Sequence, residues 1–113
     1  MVISKETPRN EINARIISDI HTHKVVMYSK TYCPYSKKLK KILALYSIKD
    51  LKIVELDKEK EMETMQTVLK SITGRSTVPQ LFIAGVFVGG HDETRAIEDR
   101  GDLRKLLKKA QAL

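Results

Sequence analysis

The sequence predicts one α/β domain built on a mixed four-stranded sheet with helices on both faces. Three observations carry this. Apolar residues recur at helical spacing in separate stretches. Short β-branched runs alternate with them. The first two strand-like runs have a helical stretch between them, which demands a parallel pair with a right-handed crossover, whereas the last two meet at Gly85, which demands a hairpin.

Residues 1–9 read as a loose lead-in, with Pro8 suited to a first helical turn. Ile12, Ile16, Ile17 and Ile20 then predict an amphipathic helix over about 9–22. KVVMYS, 24–29, is apolar and β-branched and reads as a buried strand. Pro34 opens a second helix whose face carries Leu39, Ile42, Leu43 and Tyr46. LKIVELD, 51–57, alternates as a strand does. Met62, Met65, Leu69 and Ile72 mark a third helix that Gly74 ends as a C-cap. QLFIA, 80–84, and VFVGG, 86–90, form the hairpin, and Leu103, Leu106, Leu107 and Ala110 give a closing helix after Gly101. The order is α-β-α-β-α-β-β-α, and all 113 residues are expected in one domain.

Composition narrows the function. No stretch approaches the ~18 consecutive apolar residues of a membrane span, and the opening MVISKETPRN has no apolar signal core. No membrane partner and a cytoplasmic location are therefore expected. One cysteine, Cys33, excludes an internal disulfide framework and a thiolate metal site within one chain. The net charge is +7, with Lys30, Lys37, Lys38, Lys40 and Lys41 gathered around that cysteine, which favours an anionic ligand there. Nucleic acid is not expected, because the six aromatic residues (four Tyr, two Phe) fall mostly on predicted core faces or at the thiol.

Cys33 lies in TYCPYSKK, 31–38, after a strand and at a helix start. Unpaired N–H groups and the helix dipole stabilise an anion at such a place. With Lys30 and Lys37 adding positive charge, the thiol is expected to ionise near neutral pH. Cys-Pro-Tyr-Ser has the frame of a dithiol redox pair with a hydroxyl, Ser36, in place of the second thiol. TVP, 77–79, precedes one strand, and GGHDE, 89–93, follows another and opens a helix.

Together SKTYCPYS (29–36), TGRSTVPQLFI (73–83) and GVFVGGHDE (85–93) make the chain, over about residues 10–110, resemble the glutaredoxins of the thioredoxin-fold superfamily. The resemblance implies a glutathione-dependent thiol–disulfide oxidoreductase with glutathione as co-substrate. It makes Cys33 the nucleophile and restricts the enzyme to the monothiol route, the reduction of protein–glutathione mixed disulfides. It further implies that Ser36 can hydrogen-bond the Cys33 thiolate, and that Lys30, with Gln66 and Arg75, pairs with the glycyl carboxylate of glutathione. Thr77 and Val78 would precede a cis Pro79 and expose the Val78 backbone to the peptide. Gly90 would allow close approach, Asp92 and Glu93 would hold the γ-glutamyl end, and Tyr35 would shield the thiolate. The residues leave other roles open: solvated charges at Lys30 and Arg75, a surface position for Gln66, an N-cap at Asp92 and packing at Tyr35.

The sequence departs from the family pattern at Ser36, at Glu93, where Asp is usual, and at Arg75-Ser76 before TVP. Ser36 reads equally as a natural Cys-Pro-Tyr-Ser form and as an engineered trap. The resemblance implies glutathionylated proteins as partners and a monomer in the apo state. It also offers an alternative, a carrier of a [2Fe–2S] cluster bridged between two chains by Cys33 and two glutathiones. Pro34 and Tyr35, which stiffen and crowd the site, count against that.

Overall fold

The computed structural model describes residues 8–113. The lead-in expected over 1–9 falls, through residue 7, outside the described residues, and Pro8 caps the first helix instead of entering it. The elements are α1 (Arg9–Thr22), β1 (Val25–Ser29), α2 (Pro34–Leu43), β2 (Leu51–Glu55), a 3₁₀ turn (Leu56–Lys58), α3 (Met62–Thr73), β3 (Gln80–Ile83), β4 (Val86–Gly89), α4 (His91–Asp99) and α5 (Asp102–Lys109). The sequence order ends in one helix; the structure has two. The break comes at Gly101, whose φ of 77° is left-handed and ends a helical run readily.

The sheet order is β2-β1-β3-β4. β1 pairs in parallel with β2 and antiparallel with β3, and β3 pairs antiparallel with β4 across the Ala84-Gly85 turn. Both central strands, β1 and β3, are buried along their whole length, as the continuous apolar runs foretell.

A core lies on each face of the sheet. On one, Ile12, Ile16 and Ile20 of α1 and Met65, Val68 and Leu69 of α3 pack on Val26, Tyr28, Val54 and Phe82. On the other, Leu39, Ile42 and Leu43 of α2 and Leu103 and Leu107 of α5 pack on Val25, Met27, Leu81 and Ile83. Ile17 and Ile72, placed on buried faces by spacing alone, lie toward solvent. Tyr46 follows α2 instead of belonging to it, yet it still packs against the second core and gives its hydroxyl proton to Glu98. Gly74, with φ of 83°, caps α3 as its position requires. This frame sets the β1–α2 junction beside the turn that enters β3.

Candidate active site

Cys33 is the N-cap of α2, with Pro34 at the first helical position, where a missing N–H removes nothing the helix would use. The strand and loop ahead of it are fastened from below. Ser29 Oγ donates to Glu55 at 3.0 Å, and Lys40 pairs with the same carboxylate at 2.5 Å. Thr31 donates both its backbone N–H and its hydroxyl to Asp57.

Burial pushes the Cys33 thiol up, but the net shift is downward. A hydrogen bond from the Ser36 side chain leads the opposing causes, followed by the backbone N–H groups of Ser36 and Tyr35 and the charge of Lys30. Lys37, expected beside Lys30, is not among the leading influences on the sulfur. Ser36 Oγ is fully buried and meets no hydrogen-bond partner at ordinary geometry in the resting thiol. The electrostatic benefit therefore belongs to the ionised sulfur, the acceptor toward which that hydroxyl can turn.

The facing wall is the turn into β3. The Val78–Pro79 bond is cis, and Cys33 Sγ lies 3.9 Å from the Val78 carbonyl oxygen. Gln80, fully buried, donates to the carbonyls of Arg75 and Thr77 and so shapes the loop from within. Gln66 donates to the Ser76 carbonyl at 3.2 Å, fastening the same loop to α3.

A cleft opens on each side of the thiol. One is lined by Lys30, Tyr32, Cys33, Pro34, Gln66, Ser76, Thr77 and Val78. The other is lined by Tyr35, Arg75, Thr77, Val78, Pro79, Gly90, His91, Asp92 and Glu93. Thr77 and Val78 border both, so an extended peptide carrying a sulfur could lie across them with its thiol at Cys33.

Two side chains do not sit as the sequence suggests. Arg75 lines the cleft opposite Lys30 and Gln66, and it pairs with Glu93. Glu93 is engaged by the protein itself: its carboxylate takes that guanidinium and the Gly90 N–H at 3.1 Å. Those bonds hold Glu93 below the usual carboxylate range, the Gly90 N–H first and Arg75 second. Asp92 is not the N-cap of α4, a place Gly90 takes, and its side chain is 86% exposed beside the cleft. Its Oδ1 lies 3.0 Å from His91 Nδ1, and it is the carboxylate at this end not tied to Arg75.

Sequence reasoning missed Tyr32, Gln80 and His91, and it singled out Ser76 only as a departure from the family pattern. The His91 ring lies 5.4 Å from that of Tyr35, and its Nδ1 is 3.0 Å from Asp92. Adjacency to the GG-turn was the only available signal for it.

The sequence matches the glutaredoxin family over residues 25–88, from β1 into β4. The chain belongs to the glutaredoxin family. An uncharacterized monothiol glutaredoxin of Caenorhabditis elegans is 62% identical over 103 residues, 91% of this chain and 70% of that protein. The crystal structure of oxidized glutaredoxin 2 from Chlamydomonas reinhardtii superposes with a TM-score of 0.90 at 40% identity, covering 95% of this chain and all of the other. A buckwheat glutaredoxin–glutathione complex superposes at 0.88 with 28% identity, over 93% and 94% of the two chains. The fold is thus the thioredoxin fold of glutaredoxins, as expected. This glutaredoxin is a glutathione-dependent thiol oxidoreductase, and with Cys33 as its one thiol it works by the monothiol route.

Proposed function

We propose that this glutaredoxin removes glutathione from glutathionylated proteins, with the peptide lying across the two clefts. The observation that carries the reading is Cys33 at the N-terminus of α2, its pKa lowered, with buried Ser36 where a resolving thiol would stand. The thiolate attacks the glutathione sulfur of the mixed disulfide. A Cys33–glutathione disulfide forms, the protein–glutathione bond breaks, and the protein leaves as a thiolate that takes a proton. A glutathione thiolate then attacks the glutathione sulfur on Cys33, releasing oxidised glutathione and the Cys33 thiolate. One mixed disulfide and one free glutathione become one protein thiol and one oxidised glutathione.

Charge placement orients the peptide. Lys30 and Gln66 border the cleft for the glycyl carboxylate, and Asp92 offers its carboxylate to the α-ammonium of the γ-glutamyl end. The Val78 backbone pairs with the cysteinyl unit. Gly90 leaves room because a Cβ there would come within 3.1 Å of the Pro79 carbonyl oxygen. The known complex of buckwheat glutaredoxin with glutathione supports glutathione as the ligand. Arg75 and Glu93 serve as a paired edge of the γ-glutamyl cleft instead of as separate ligands.

The described residues act as one domain, monomeric when free, and a reduced thiol of this kind belongs in the glutathione-rich cytosol. The relative's monothiol character supports Ser36 as a native residue. The cluster carrier is not adopted, since Pro34 at the first position of α2 and the neighbouring Tyr35 stiffen and crowd the site.

The test is glutathione-supported reduction of a glutathionylated peptide, coupled to glutathione reductase, with Cys33→Ser as blank. Turnover that vanishes in the blank is expected. Uptake of glutathione by Cys33 without turnover would overturn the reading.

A further inference from the structure

Beyond the two glutathione clefts, α2 and α4 enclose a third, lined by Lys38, Lys41, Ile42, Leu45, His91 and Arg95. Its volume is about 440 Å³. It shares His91 with the γ-glutamyl cleft, where the Tyr35 ring lies 5.4 Å from the imidazole, tilted by 42°, as a ridge. Lys38 reaches over that ridge, its Nζ 5.1 Å from the Tyr35 ring centre.

The chemistry of this cleft is specific. Its rim is cationic and its floor aliphatic. Neither Lys38 nor Lys41 has a carboxylate within ion-pair distance among the described residues. Arg95 is held through Nε by Asp99. Ile42 is buried in the second core, whereas Leu45, 68% exposed, presents an apolar side chain largely uncovered by the described residues.

We propose that this cleft receives the polypeptide flanking the modified cysteine of a glutathionylated protein, and that it favours an acidic segment carrying one aliphatic side chain. The inference rests on the deglutathionylation reading and names the class of substrate. Two arguments choose the occupant. The cleft borders the glutathione site through His91, so a glutathionylated protein is the macromolecule brought next to it. Its unpaired cations and aliphatic floor complement carboxylates beside a leucine or isoleucine. Nucleic acid is disfavoured because bases stack on aromatic platforms, and the floor here is Ile42 and Leu45.

The experiment compares kcat/KM on three substrates: cysteine–glutathione disulfide, a glutathionylated peptide with acidic flanks and a leucine, and one of equal length with serine flanks. Wild type is expected to prefer the acidic peptide roughly tenfold at low ionic strength, with the preference fading by about 0.5 M salt. Lys41→Glu/Arg95→Glu should abolish the preference while leaving cysteine–glutathione turnover and the circular-dichroism spectrum unchanged. Leu45→Ser should lower turnover of the acidic peptide several-fold without altering its salt dependence. Equal turnover of both peptides by wild type, or a preference that survives the double variant, overturns the proposal. So does single-stranded DNA that competes as strongly as the acidic peptide. If wild type fails on cysteine–glutathione disulfide, the enzymatic reading falls by itself. Fluorescence anisotropy of the labelled acidic peptide, with and without the double substitution, then decides the cleft.

Discussion

The carboxylate of Asp57 holds Thr31 twice, through its backbone N–H at 3.0 Å and through its hydroxyl. The loop bearing Lys30 and Cys33 is thereby tied to the turn that follows β2. Asp57→Ala should lower kcat/KM roughly tenfold while the folded protein persists, because a small shift of a nucleophile is expensive. The Thr31 bonds also hold Asp57 below its ordinary pKa. A carboxylate depressed on folding stabilises above its unfolded value, near 3.9, and loses that effect as pH falls through it toward the folded one. The melting temperatures of wild type and Asp57→Asn should therefore differ above about pH 4 and converge below it.

Ionisation of Cys33 is directly measurable. Its rate of alkylation by iodoacetamide should rise with pH to a midpoint below the ~8.5 of a free thiol. Ser36→Ala removes the foremost stabiliser of the thiolate and Lys30→Gln the nearest charge. Each should move the midpoint upward, the first more than the second. A midpoint unmoved in Ser36→Ala would show that the hydroxyl does nothing for the sulfur.

Ser36 is buried immediately behind Cys33 in the first turn of α2. Ser36→Cys should therefore close an internal disulfide on mild oxidation, read as a loss of both titratable thiols. It should also gain activity on disulfides within proteins, which wild type lacks. Two free thiols after oxidation would show the side chains to be wrongly oriented for a bond.

Leu39 is fully buried where α2 rests on the sheet. Leu39→Ala should destabilise by about 3 kcal/mol, in the range for a large cavity. Urea unfolding with an unchanged m-value would measure it.

Helices and strands were legible because each buries one face and so shows a period in the sequence. Val25–Ser29 and Gln80–Ile83 have apolar runs because both of their faces are covered. Cys33, Pro79 and the GG-turn could be read from local motif. The break between α4 and α5 was harder, since Gly101 suits both a cap and a turn. The pairing of Arg75 with Glu93 was not legible because it joins a loop to a helix start across the cleft, and no spacing along the chain encodes it. His91 was invisible for the same reason: its importance lies in meeting Tyr35.

A hydroxyl behind the nucleophile changes what the protein can report. With no second thiol, its one disulfide state is the adduct with glutathione. The adduct exchanges with one glutathione to give one oxidised glutathione. Its occupancy therefore follows the ratio of oxidised to reduced glutathione, to first order in each. A dithiol site, which consumes two glutathiones per disulfide, responds instead to the ratio of the first to the square of the second. Diluting the whole pool at constant ratio oxidises such a dithiol site and leaves Cys33 unmoved. Buried Ser36 thus makes this protein insensitive to the size of the glutathione pool, and sensitive only to its balance.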